Sequence, residues 1–174
     1  MPPSIIRAPM SEYRVRAATL DDLDALVHHR VAMFTDMGVT MDGAALSRVY
    51  RAWLQQMLPA GEYRAWVAET ADGPEGDVVA GGGILVLPWP PGPQSLAGKS
   101  LAFVYNIYTE PAHRKRGLAR SLMETIHAWC ASEGIPALAL NAAADARHLY
   151  ESMGYFDAPS PMMYKMVQSR PFQG

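Results

Sequence analysis

The stretch from Leu101 to Ser132 constrains the architecture more tightly than any other part of the chain. Residues 101–109, LAFVYNIYT, are an apolar run of strand length, and residues 117–132 follow with a helical period. Leu118, Leu122, Met123, Ile126, Trp129 and Cys130 share one helix face, and Gly134 followed by Pro136 ends the helix. A strand and an amphipathic helix joined in this way must bury their apolar sides against further layers.

The rest of the chain supplies those layers. YRVRAA (13–18) alternates as a short strand. Thr19 before Asp21 and Asp22 marks a helix start, and Leu23, Leu26, Val27, Val31 and Phe34 carry that helix to about Gly38. A second helix is expected from about Ala44 to Leu58, stopped by Pro59 and Gly61. Residues 62–70 and 78–87 read as an antiparallel strand pair, Ala137 to Leu140 as a short strand, 144–153 as a helix and 162–167 as a last strand. Residues 88–99 (PWPPGPQSLAGK) form a loop that is either a lid over a site or a stiff connection. This order predicts a mixed sheet with helices on its faces, an α/β or α+β single domain. A length of 174 residues fits one such domain.

Composition narrows the function classes. Fifteen Lys and Arg against 17 Asp and Glu give no global pull toward nucleic acid or an anionic membrane. The longest apolar run, Val78 to Leu87, is broken by Gly81, Gly82 and Gly83 and falls short of a membrane span. The N-terminal MPPSIIRAPM does not read as a signal peptide, and the expected setting is cytoplasmic. The single cysteine, Cys130, excludes an internal disulfide and a multi-cysteine metal site. His28 and His29 are adjacent and point to different helix faces, while His113, His127 and His148 are isolated, so no metal is expected.

The chemistry concentrates between the strand and the best helix. Arg114, Lys115, Arg116 and Arg120 crowd a helix N-terminus, where the macrodipole is already positive. A bound phosphate would resolve that conflict, with Gly117 allowing close backbone approach and small Ala119 keeping the first turn clear. A solvated basic loop is the competing explanation, since each charge–dipole clash costs only ~0.3–1 kcal/mol. No Gly-x-Gly-x-x-Gly occurs. The near-Walker stretch from Gly92 to Gly98-Lys99-Ser100 has one residue too many and leads into a strand, so an ATP site there is rejected.

Arg114-x-x-Gly117-x-Ala119, with Pro111 three residues earlier, resembles the acetyl-CoA motif of the GNAT N-acetyltransferase superfamily. Leu140-Asn141 and the stretch Leu149-Tyr150-Glu-Ser-Met-Gly154-Tyr155 are similar to that family's later strand end and its Leu-Tyr-x-x-x-Gly-Phe ending. The resemblance implies a mostly antiparallel mixed sheet with helices on both faces over 13–168, between an extension at 1–12 and a tail at 169–174. It implies acetyl-CoA as co-substrate and a small-molecule, amino-acid or peptide amine as acceptor, while charge balance, histidine spacing and run length lead to no expected metal, nucleic acid or membrane partner. A homodimer is compatible with it.

Residue by residue, the resemblance implies that backbone groups of Ile107, Tyr108 and Thr109 pair with the pantetheine arm as an added strand would. Amides from Arg114 through Lys115, Arg116, Gly117, Leu118 and Ala119 to Arg120 would hold the pyrophosphate. Asn141 would lie by the pantetheine chain, and Tyr150 would protonate the departing thiolate. It supplies no general base, because the middle of the strand reads Phe103-Val-Tyr-Asn106. Glu69 and Glu110 end strands and read as surface carboxylates. The first two helices would build the acceptor pocket, with Arg30, Phe34 and Met37 as candidates and Met33 and Met41 beside them. Cys130 on the apolar face reads as packing, which favours direct transfer over an acyl-enzyme. A non-catalytic acyl-CoA-binding module of the same fold is the alternative.

Overall fold

The computed structural model describes residues 12–71, 76–93 and 95–158, together with Met163 and Lys165. Residues 1–11, most of the strand expected over 162–167 and the tail at 169–174 lie outside the described residues. Five strands, β1 (Tyr13–Ala17), β2 (Tyr63–Thr70), β3 (Val78–Pro88), β4 (Ser100–Thr109) and β5 (Leu138–Ala139), form one sheet in sequence order. The first four are antiparallel, and β5 runs parallel to β4. Helices α1 (Leu23–Asp36), α2 (Gly43–Ala60) and α3 (Leu118–Ser132) belong with the sheet to a compact unit ending at Leu140. A second unit starts at Asn141 and holds α4 (Arg147–Ser152), shorter than the helix expected over 144–153.

Side-chain alternation along β2 decides how the helices are placed. Tyr63, Ala65 and Val67 form a buried cluster with Leu23, Leu26 and Val27 of α1 and Tyr50 and Leu54 of α2. Trp66 points the other way, its ring 5.8 Å from Trp129 of α3, and the Arg64 guanidinium lies 4.8 Å from the same ring. Helices therefore cover both faces, with the period of two along the strand sorting the two cores.

Local chemistry sets the element ends. The Thr19 hydroxyl accepts from the Asp21 amide while the Asp22 carboxylate accepts from the Thr19 amide at 2.8 Å, a capping box on the turn entering α1. Asp42 caps α2 through the Ala45 amide at 2.9 Å. That helix continues through Pro59, whose fixed φ suits a helix and whose missing N–H forfeits one bond in the last turn, and it stops at left-handed Gly61.

This architecture bears on three of the expectations. Within residues 88–99, the Trp89 amide donates to the Lys99 carbonyl at 2.9 Å and Gly92 pairs with Ser95, so hydrogen bonds tie the described residues at the end of the β3–β4 hairpin. Ser100 opens β4 and not a helix, which removes the nucleotide loop. Glu69, by contrast, is not a surface carboxylate. It is 3% exposed, accepts from Arg14 Nε at 2.8 Å and Arg16 Nε at 2.7 Å, and these bonds hold its carboxyl below the usual range. Arg16 also reaches Asp22 at 2.8 Å, so the cluster ties β1, β2 and the α1 entry together.

Candidate active site

The site begins with a defect in the sheet. Gly81 pairs with Tyr108 and Gly83 with Tyr105, so Asn106 and Ile107 of β4 together oppose the single residue Gly82. This is a β-bulge, and Asn106 takes the left-handed conformation (φ 59°) that an extra residue there requires. The glycines of β3 make room for it. A Cβ at Gly82 would meet the Ile107 side chain, and a Cβ at Gly83 would meet the Tyr63 hydroxyl and, at 2.5 Å, the Arg64 carbonyl oxygen.

On its other side β4 loses its neighbour. β5 pairs with it only at Ala102–Leu138 and Phe103–Ala139. Among the described residues no strand pairs with that edge from Val104 to Thr109, which includes Ile107, Tyr108 and Thr109. An open strand edge presents backbone donors and acceptors to any extended partner.

The open edge leads directly into the basic loop. Pro111–His113 form a 3-10 turn, Lys115 is left-handed (φ 61°), Gly117 is left-handed (φ 85°), and α3 starts at Leu118. No side chain caps α3, and its first internal bond runs from the Ser121 amide to the Gly117 carbonyl at 3.0 Å. The amides of Leu118 and Ala119 thus have no partner inside the helix, at the positive end of its dipole. The cations beside them differ in their engagement. The Arg114 guanidinium pairs with Asp36 and donates to the Thr109 carbonyl at 2.9 Å, and Arg116 reaches Glu12 at 3.5 Å. The loop can therefore receive an anion mainly through backbone N–H groups, with part of its side-chain charge already balanced.

On the α1 and α2 side, the bulge residue anchors a polar network. The Asn106 carbonyl oxygen accepts from Arg30 Nη1, and its amide donates to Tyr50 Oη at 2.8 Å and Tyr63 Oη at 3.3 Å. Arg30 lies 4.7 Å from the Phe34 ring centre and 5.2 Å from that of Tyr50. Burial raises the pKa of both tyrosines, so they stay neutral. Arg30 and Phe34 are brought together here, whereas Met37 stands exposed at the end of α1.

Nearer the loop, His28 Nε2 contacts Glu110 Oε1 at 2.8 Å, and the same oxygen lies 3.4 Å from His29 Nε2. His29 is buried under Gly81 and against the Tyr108 ring, and burial lowers its pKa to about 4. Glu110 also borders an open cleft of about 680 Å³ carrying Asp21, Asp22, Asp24 and Asp77. Among the described residues two of those aspartates have arginine partners, and the remaining carboxylates make this cleft unfavourable for phosphate.

A bulged strand with an open edge thus feeds an uncapped helix through a glycine turn. The family model of the acetyltransferase (GNAT) family matches residues 28–155. The chain belongs to the GNAT acetyltransferase family. A GCN5-related N-acetyltransferase from Ralstonia eutropha JMP134 is 32% identical, with a TM-score of 0.76 over 89% of this chain and 98% of that one. A predicted acetyltransferase from Clostridium acetobutylicum, solved with acetyl-CoA, shares the fold at 20% identity, with a TM-score of 0.73 over 88% of this chain and 96% of that one. Glucosamine-6-phosphate N-acetyltransferase from Arabidopsis thaliana shares it at 16% identity, with a TM-score of 0.63 over 90% and 99%. No curated protein matches the chain.

Within this GNAT chain the second unit carries the two remaining candidates. Asn141 is exposed at its start. Tyr150 on α4 is 8% exposed, packs edge-on against the Tyr155 ring at 5.7 Å, and has its pKa raised by burial and then by the Asp145 carboxylate. Cys130 on α3 is buried, and burial pushes its thiol up to about 11. Among the described residues no group of three or more His, Cys, Asp or Glu side chains could hold a metal, and no helix is long and apolar enough to cross a membrane.

The sequence reading passed over Asn106, Tyr50 and Tyr63. The signal that could have found the first is the run Gly81-Gly82-Gly83 inside a strand, which marks a bulge or a close backbone approach.

Proposed function

We propose that this GNAT chain transfers the acetyl group of acetyl-CoA to a primary amine of a small molecule, amino acid or peptide by direct attack. The observation that carries this reading is the continuity of the open β4 edge with the uncapped N-terminus of α3. A pantetheine chain, with its two amides, matches the β4 edge at Ile107, Tyr108 and Thr109 that no described strand pairs, and a diphosphate matches the amides and dipole from Arg114 to Arg120. Asn141 is assigned to the pantetheine chain by family resemblance. Acetyl-CoA reported with the Clostridium acetobutylicum protein of the same fold agrees with this choice of co-substrate.

The reaction asks for few groups. The amine lone pair attacks the thioester carbonyl carbon while the carbonyl π pair moves onto oxygen, and a backbone N–H near Thr109 receives that oxyanion. Collapse restores the carbonyl and breaks the C–S bond, and the thiolate takes a proton from the Tyr150 hydroxyl. The surplus N–H proton leaves to water and water returns a proton to the Tyr150 phenolate, so the step is proton-neutral and no side chain is assigned as base. Burial and Asp145 hold the Tyr150 phenol protonated, the state a donor needs. Cys130, buried with a raised pKa, is poorly suited to carry the acetyl group, which supports direct attack over an acyl-enzyme.

A thermal-shift titration with acetyl-CoA, CoA and ATP tests this reading. A ligand at about 100 times its Kd stabilises the fold by ~2.7 kcal/mol, so both CoA species should raise the melting temperature and ATP should not. A side chain at Gly117 would project into open space before the helix. Gly117→Trp should therefore abolish the shift, while Gly117→Ala, with the same left-handed strain and little bulk, should retain most of it. A shift with ATP alone, or turnover with no amine despite CoA binding, would overturn the transferase assignment.

A further inference from the structure

Arg30 is a half-buried cation with no carboxylate partner among the described residues. Its Nη1 donates to the neutral Asn106 oxygen, its Nε is buried without a hydrogen-bond partner among the described residues, and the rings of Phe34 and Tyr50 flank the guanidinium. The other α1 contacts underline the difference: Asp24 is paired with Arg51 and Asp36 with Arg114, so neither acid of that helix serves Arg30. A partly desolvated charge left without an anion is unfavourable, and folding alone gives no reason to keep one.

The network around it explains how the charge is held in place. A guanidinium only donates, so the Asn106 amide is oriented with its oxygen toward Arg30 and its nitrogen toward Tyr50 and Tyr63. Asn106 is itself the left-handed residue of the β4 bulge. The guanidinium is thereby referenced to the strand along which the pantetheine chain is proposed to lie, on the side covered by α1 and α2. Phe34 and Tyr50 restrict its rotation and shield it from solvent, which strengthens any ion pair formed there.

Resting on the acetyltransferase reading above, we propose that Arg30 is the anion receptor of the acceptor site and that the acceptor amine carries a carboxylate. The planar fork of the guanidinium suits a carboxylate bound through two parallel N–H···O bonds, and such an acceptor supplies the missing counter-ion each time it binds. Phe34 and Tyr50 then provide apolar walls for the carbon skeleton between carboxylate and amine.

The test compares L-amino acids and dipeptides with their own C-terminal carboxamides, measuring CoA release for each pair. The wild type should favour the acid over the amide by roughly 10- to 100-fold in kcat/KM. In Arg30→Met that ratio should collapse toward unity through KM for the acid, and Arg30→Lys should restore part of it. Calorimetric binding of the N-acetylated amino-acid products to the CoA complex should show the same order without turnover. An acid-to-amide ratio that Arg30→Met leaves unchanged would mean a purely structural arginine and would overturn the proposal. So would acceptors that lack an anion, or silence from every acid of the panel while neutral amines are acetylated. Failure to bind acetyl-CoA at all would instead strike the acetyltransferase reading, so the two failures are distinct.

Discussion

His29 Nε2 lies 3.4 Å from Glu110 Oε1, yet neither ring nitrogen of this 2%-exposed histidine makes a hydrogen bond among the described residues. The imidazole is kept neutral by burial, with His28 reinforcing that effect and Glu110 opposing it, and its pKa falls from 6.5 to about 4. Between those values the unfolded chain binds a proton that the folded chain refuses, so stability rises with pH across that window. The contribution is fully present above about pH 6.5 and is lost as the pH falls toward about 4. Urea melts at about pH 7 and about pH 5 should show the wild type losing roughly 2 kcal/mol that His29→Asn does not lose. Parallel losses in the two proteins would mean that His29 titrates normally.

Gly83 is fixed by its surroundings. A Cβ there would stand 2.5 Å from the Arg64 carbonyl oxygen and even closer to the Tyr63 hydroxyl. The first obstacle is backbone of the neighbouring strand, which cannot swing aside. Gly83→Ala should therefore cost roughly 1–3 kcal/mol by denaturant titration. Adding Tyr63→Phe should not rescue it, because the carbonyl remains. Full rescue by the double substitution would place the clash on the hydroxyl alone.

These two positions show what the sequence reveals and what it withholds. The order of strands and helices is legible because each element carries its own period and its own stops, such as Gly38, Gly61 and Gly134. The glycine turn before α3 is legible for the same local reason. Glu69 is misread because its burial is made by Arg14 and Arg16 from β1, more than fifty residues away, and no local pattern announces that pairing. Arg30 and Asn106 are 76 residues apart and meet only through the register of β4 against β3 and the packing of α1. A bulge shifts that register by one residue, and local alternation cannot locate the shift.

Asn106 combines a backbone and a side-chain role that substitution can separate. Asn106→Ala leaves Arg30, Tyr50 and Tyr63 without their shared partner and also places a β-carbon in the left-handed region. Its cost should be roughly 2–4 kcal/mol in chemical denaturation. Asn106→Gly removes the same hydrogen bonds but not the backbone tolerance, so it should cost about 1 kcal/mol less. Equal losses would show that the left-handed turn carries no strain worth relieving.

Tyr150 gives the sharpest kinetic prediction for the proposed chemistry. If its hydroxyl protonates the leaving thiolate, Tyr150→Phe should lower kcat on the order of 100-fold, the low end for a general acid because a thiolate leaves readily without help. KM for acetyl-CoA should change little, since the phenyl ring that packs against Tyr155 is retained. The pH profile provides the second readout. Burial and Asp145 raise the phenol pKa, so the donor stays protonated past the ordinary tyrosine value, and wild-type kcat should hold through alkaline pH until that raised value is reached. The alkaline limb should then be missing from Tyr150→Phe. An unchanged kcat, or an alkaline limb that survives the substitution, would remove Tyr150 from the reaction and leave water as the donor.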